Sequence, residues 1–161
     1  MSDLSALLER FRRSPEVLAV VLTGVFGEEE DYTTAPGKWS IRQIIAHLAD
    51  SEMVDAYRMR AVIAENNPTL SGYDQNLWTQ NLDYAQRKPK QSLESFRRQR
   101  AENYGLLKNV PESAYSRTGN HAERGPMTLL EVVENCAEHA ENHARQLQSI
   151  RAEYKKAKGR K

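Results

Sequence analysis

Residues 128–147 read TLLEVVENCAEHAENHARQL. Thr128 and Glu131 have the spacing of a capping box, in which each side chain satisfies a backbone N–H that the first helical turn leaves open. Behind that cap, Leu129, Val132, Val133, Cys136, Ala137, Ala140, Ala144 and Leu147 recur with the helical period. The stretch predicts a long helix that must bury one apolar stripe against other elements. At about 100° of turn per residue, His143 falls inside the stripe and His139 on its edge, about 6 Å of rise apart.

Working outward, the other segments also read as helix. Residues 39–52, WSIRQIIAHLADSE, open with a second capping box, Ser40 with Gln43. Ile41, Ile44, Ile45, Leu48, Ala56, Met59 and Ile63 carry this helix forward until Pro68 forbids continuation. Trp39, just before the cap, has the position of a hydrophobic staple. A third helix is predicted from about Ser92 to Pro111, with Leu93, Phe96, Leu107 and Val110 on one side. The first segment, about 3–26, contains Ser14 and Pro15, which fit the cap and first position of a second helical piece. GEEEDYTTAPGK then ends it. DQNLWTQNLDYA is a short connecting helix, GNHAERGP a loop, and no strand ladder is evident. The expected fold is all-α, a four-helix bundle with a short extra connecting helix. Residues 1–154 are expected to form one domain, and 155–161 a frayed basic tail.

The bulk composition excludes several classes. The chain has 161 residues, enough for a core without staples. With 23 basic and 22 acidic residues the net charge is +1, so no global field draws nucleic acid or an anionic membrane, and neither partner is expected. One cysteine excludes an internal disulfide framework and suits a reducing compartment. No apolar run approaches membrane-spanning length, and the charged N-terminus shows no signal peptide, so the expected location is cytoplasmic.

Two of only four histidines are therefore stacked one turn apart. Imidazoles at i and i+4 on one helix face can share a metal ion, as in zinc protease helices. The glutamate those proteases use as general base would stand at position 140, where this chain has Ala140. His47 lies on the edge of the second helix's stripe and offers a third ligand. Three histidines would leave coordination positions open for water or substrate. The alternative is that His139 and His143 are hydrogen-bonded helix residues and His47 a surface residue.

KWSIRQIIAHLADSE, residues 38–52, and GPMTLLEVVENCAEHAENHARQL, residues 125–147, together resemble the DinB/YfiT-like superfamily of bacterial four-helix-bundle metalloproteins. The resemblance covers nearly the whole chain. It implies that His47, His139 and His143 bind a divalent metal, usually zinc or nickel. It also implies an activity like that of thiol transferases using bacillithiol or related low-molecular-weight thiols, or of a mycothiol-dependent isomerase. An open metal position suits a thiol co-substrate or water, so a small-molecule S-transferase or hydrolase is expected. The rival is a non-catalytic bundle with a structural, sensory or vestigial metal site. Homodimers are common in the family.

Several further residues stand out. Glu52 and Arg100 fall within apolar stripes, and a buried charge needs a partner. Glu52 either pairs with Arg100 or accepts an N–H from a ligand histidine. Asp55 flanks the same stripe and could serve like Glu52, with a helix-edge charge reaching solvent as the plainer reading, and Cys136 reads as a small core residue. His121, in the loop before the last helix, is a candidate pocket residue, with solvent exposure as the plainer reading. Tyr73, Trp78 and Tyr84 either line a pocket mouth or pack the connecting helix.

Overall fold

The computed structural model describes residues 3–159. Four long helices form the bundle: α1 (Asp3–Val21), α3 (Ile41–Ala64), α5 (Pro89–Leu107) and α6 (Leu129–Gly159). Short helices α2 (Glu28–Asp31) and α4 (Gln75–Asn81) lie in the connections. Helix α3 packs against α5 and α6, and α1 packs against the same two, so α1 and α3 face each other across the bundle. That placement brings the two capped helices, α3 and α6, side by side.

Both capping boxes form. Ser40 accepts from the Gln43 N–H while the Gln43 side chain accepts from the Ser40 N–H. The Thr128 hydroxyl accepts from the Glu131 N–H, and Glu131 accepts from the Thr128 N–H at 2.7 Å.

The interior divides into two apolar clusters. One holds Phe11, Met59, Val62, Leu107, Val133 and Ala137, among others. The other includes Leu18, Ile44, Ile45, Leu48, Phe96, Ala140 and Leu147. On α1, α3 and α5, polar side chains are buried between these clusters: Ser14, Glu52, and Arg100 with Asn103.

The structure corrects four expectations. Helix α1 runs unbroken through Pro15 instead of restarting at Ser14. Proline cannot donate to the carbonyl four residues back, which is Phe11. The Ser14 hydroxyl donates to that carbonyl at 2.8 Å and Arg100 Nη1 donates to it at 3.4 Å, so the freed acceptor is used. The acidic 28–31 segment, read from sequence only as the end of the first helical segment, is a short helix of its own. Arg42 clamps Glu30 and Asp31, and Arg151 pairs with Glu29 at 2.8 Å.

A small sheet is present where none was expected. Strand β1 (Thr69–Leu70) pairs in parallel with β2 (Thr118–His121), which pairs antiparallel with β3 (Gly125–Thr128). Gly119 is required there, because a Cβ would come within 2.9 Å of Leu70 Cγ. Finally, helix α6 continues through residues 155–159, expected as a tail; Lys156 and Lys158 oppose the negative end of the helix dipole, and Lys158 pairs with Glu28. The last two residues of that basic run lie outside the described residues.

Candidate metal centre

Helix α3 supplies His47, and α6 supplies His139 and His143. His139 Nε2 lies 3.0 Å from His47 Nε2 and 3.0 Å from His143 Nε2. One nitrogen from each ring lies within 4.8 Å of the other two. His47 is only 1% exposed, deeper than the stripe-edge position read from sequence, because Trp39 covers it at 4.9 Å between ring centroids.

Proton counting shows that these three rings cannot satisfy one another. His143 Nδ1 donates to Gln146 Oε1 at 2.8 Å, which leaves a bare lone pair on its Nε2. His139 Nε2 holds at most one proton and can close only one of its two short contacts. The other is left with no proton of its own or with one proton facing another. His47 Nδ1 is sealed from solvent and has no partner among the described residues. Burial pushes the His47 imidazolium down to about 3 and that of His139 to about 2, with the neighbouring imidazoles adding to the effect. Burial also lowers His143. All three rings are therefore neutral near pH 7, the state that binds metal.

The donor set fits a divalent cation. Zn–N bonds of about 2.0–2.1 Å in tetrahedral array separate ligand nitrogens by about 3.3 Å. The two 3.0 Å contacts lie close to that spacing.

The cluster borders a cavity of about 1050 Å³. Helix α3 lines it with His47, Ser51, Asp55 and Arg58, and α6 with Asn135, Glu138, His139 and Asn142. Segment 72–76 and the β2–β3 turn close the remaining sides. Ser51 Oγ lies 2.6 Å from the Tyr73 hydroxyl, and Trp78 stacks behind Tyr73 at 4.4 Å. Tyr73 therefore lines the cavity, and Trp78 supports it. Tyr84 lies elsewhere, buried, donating to Asp50 at 3.0 Å.

Glu52 and Arg100 do pair, at 2.6 Å, with exposures of 1% and 2%. Asn103 donates to the second Glu52 oxygen at 2.7 Å, so no ligand histidine is held by this carboxylate. Burial raises the Glu52 carboxyl, opposed by Arg100 and Asn103. Asp55 pairs with Arg58 at 3.0 Å and is mostly buried, so it is not the solvent-facing charge expected. Cys136 is a core residue whose thiol burial pushes up, and it stands outside the histidine cluster. His121 is 7% exposed and forms part of the cavity wall, correcting the solvent-exposed reading. Arg58, Arg124, Asn135 and Asn142 were not singled out from sequence. Asn135, Asn142 and His139 share a face of α6 at spacings of three, four and seven, which was the available signal.

A four-helix bundle with three converging imidazoles at the edge of a cavity defines a class of bundle proteins with a candidate metal centre. Comparison with known proteins places this chain within it. The sequence pattern of the DinB superfamily matches residues 10–147, and the chain belongs to that family. A protein of Oceanobacillus iheyensis, named provisionally as a metal-dependent hydrolase, is 28% identical over 84% of this chain and 78% of its own length. Among solved structures, YfiT from Bacillus subtilis superposes with a TM-score of 0.88 at 20% identity, over 96% of this chain and 90% of its own. The mycothiol-dependent maleylpyruvate isomerase superposes at 0.73 and 17% identity, over 91% and 61%. No helix among the described residues is long and apolar enough to cross a membrane.

Proposed function

We propose that this chain is a metal-dependent enzyme in which His47, His139 and His143 hold a divalent cation through their Nε2 atoms. The reading rests on one observation: three neutral imidazoles, His47 buried and His139 and His143 partly so, make two contacts of 3.0 Å with too few protons to satisfy each other. A cation accepts all three lone pairs, and nitrogen donors of this kind suit zinc or nickel. When bound, such a cation supplies Lewis acidity that makes a thiol or a water molecule a stronger nucleophile near neutral pH.

A catalytic role is favoured over a structural one. His121 and Cys136 do not join the cluster, and two of its three histidines, His47 and His139, line a cavity roomy enough for a small molecule. The residues around it have separable tasks. The Ser51–Tyr73 hydroxyl pair, one turn along α3 from His47, offers a hydrogen-bonding platform beside the reacting centre. Burial holds the Tyr73 phenol in its protonated, donating form. Gln146 orients the His143 ring. The chemistry is hydrolysis, as the names of the relatives suggest, or transfer to a low-molecular-weight thiol.

Elemental analysis of untagged protein tests the metal assignment. The expected result is about one zinc or nickel per chain, lost in His143→Ala. If the wild type contains no metal and takes up neither added zinc nor added nickel, the reading is removed. Steady-state assays of the loaded protein, with and without added thiol, then separate hydrolysis from thiol transfer.

A further inference from the structure

Tyr73 lies in the segment between β1 and α4, outside any helix or strand, yet that segment is fixed on both sides of it. Before it, Arg58 Nη2 donates to the Ser71 carbonyl. After it, Asp74 caps α4, its Oδ1 accepting from the Asn76 and Leu77 N–H groups at 2.9 and 3.0 Å. Trp78, one turn into that helix, stacks on the Tyr73 ring at 4.4 Å between centroids. Together these contacts set the phenol oxygen 2.6 Å from Ser51 Oγ, on the turn of α3 that follows His47.

Two hydroxyls carry two protons, and their one contact uses one of them. Neither oxygen has another hydrogen-bond partner among the described residues. Ser51 is the more deeply buried, at 5% exposure, and Tyr73 is its one acceptor there. With Ser51 donating, the phenol proton is left over. The phenol is the more acidic of the two hydroxyls and so the stronger donor, and both residues line the cavity. A donor held in place before a ligand arrives costs no reorganisation when it binds.

The charge of the wall selects what that donor can meet. Asp55, Asp74, Glu123 and Glu138 line the cavity against Arg58 and Arg124 alone. Arg58 is engaged by Asp55 at 3.0 Å and by the Ser71 carbonyl, and Arg124 by Asn135 at 3.0 Å. The charge of Asp55 reaches the phenol itself. An anionic group beside Tyr73 would find carboxylates and no free cation, whereas an uncharged oxygen needs only the one hydrogen bond.

We infer that Tyr73 is a second anchor of the site: Ser51 donates to the phenol oxygen, and the phenol O–H donates to an uncharged carbonyl oxygen of the substrate. The substrate class is then a neutral carbonyl compound, an amide or ester in preference to a carboxylic acid. Ser51 acts through Tyr73 as a positioning residue. The inference rests on the proposed metal site only for the end of the substrate that meets the three histidines.

Zinc-loaded wild type, Tyr73→Phe and Ser51→Ala are titrated by calorimetry with mercaptoacetamide, mercaptopropionamide and mercaptobutyramide. Each is run beside the alkyl thiol and the mercapto acid of equal length. In the wild type one amide is expected to bind about tenfold tighter than both of its counterparts. Tyr73→Phe keeps the ring against Trp78 and should lose that advantage while keeping its zinc; Ser51→Ala should lose only part of it. No amide advantage in the wild type, the same advantage in Tyr73→Phe, or a larger loss in Ser51→Ala than in Tyr73→Phe overturns the inference. Should the wild type hold no zinc, the metal reading fails, and Tyr73 is judged by itself. In carbon spectra of metal-free protein labelled at tyrosine Cζ, the signal that Tyr73→Phe removes must move on adding N-methylacetamide and hold still in acetate. A signal that does not move, or moves as far in acetate, overturns the inference.

Discussion

Two polar clusters meet on helix α3, one with partners on α5 and one with partners on α6, and they differ in how their hydrogen bonds close. Around Glu52, each carboxylate oxygen has a donor: Arg100 Nη2 at 2.6 Å and Asn103 Nδ2 at 2.7 Å. Arg100 goes on to the carbonyls of Phe11 and Cys136 and lies over the Phe11 ring at 4.0 Å, leaving only Nε without a partner. Asn103 in turn accepts from Arg60 at 2.7 Å. One turn and a residue earlier on α3, His47 joins a cluster with no such closure. A buried polar network that is satisfied specifies packing, whereas one left open on the side of a cavity is poised to receive something. Sequence alone presented both as polar residues near apolar stripes. Only their partners separate them.

That contrast can be broken at several points, and the largest effect belongs to the closed network. Glu52→Leu leaves the Arg100 charge buried without a counter-ion, and urea denaturation should show a loss of about 3–5 kcal/mol. The milder Glu52→Gln, if folded, should retain one metal per chain, because Glu52 touches no ligand histidine. A matching loss of metal would erase the distinction between the two clusters.

The open cluster gives the metal-free protein a pH dependence of defined sign. His47 and His139 have folded values of about 3 and about 2, far below the ordinary histidine range. Above about pH 6.5 both folded and unfolded rings are neutral and these groups contribute no slope. Below it the unfolded chain takes up protons that the folded one excludes, so stability falls as pH falls towards the folded values. Each histidine contributes about 1.4 kcal/mol per pH unit in that window. Denaturant midpoints of metal-free protein between pH 7 and 5 check this, and a flat profile would contradict the burial of the cluster.

Substituting His139 by Leu sharpens the comparison with a change of sign. It removes the ring at the centre of both short contacts, only one of which can close, so the metal-free variant should be as stable as metal-free wild type or about 1 kcal/mol more so. It should also lose the metal. The smallest effect is at Pro15→Ala. In an ordinary helix interior this change gains roughly 3 kcal/mol. Here the Phe11 carbonyl already accepts from Ser14 and Arg100, so the gain in thermal denaturation should stay under about 1 kcal/mol.

The four bundle helices were legible because their signals are local. Two capping boxes, the 3.6-residue stripes and Pro68 each lie within a few residues of what they determine. The i, i+4 histidines were legible for the same reason. What could not be read depends on contacts across the chain. Strand β1 has two residues, too few for an alternating pattern, and exists because β2 lies beside it. The burial of His121 follows from that pairing. Pro15 signals a break, and the Phe11 carbonyl it frees is taken by the Ser14 hydroxyl and by Arg100, which arrives from α5. Glu52 had two open readings, and Asn103, unremarkable in sequence, decides between them by taking the second oxygen.

The central claim is that three imidazoles, and no other side chain of this protein, hold the metal. X-ray absorption at the metal edge of the zinc-loaded protein, prepared without added thiol, addresses it directly. The account expects three imidazole ligands with the remaining scattering from light atoms and none from sulfur. A sulfur contribution would put Cys136 in the site, and fewer than three imidazoles would mean that the converging nitrogens of His47, His139 and His143 are not the ligand set.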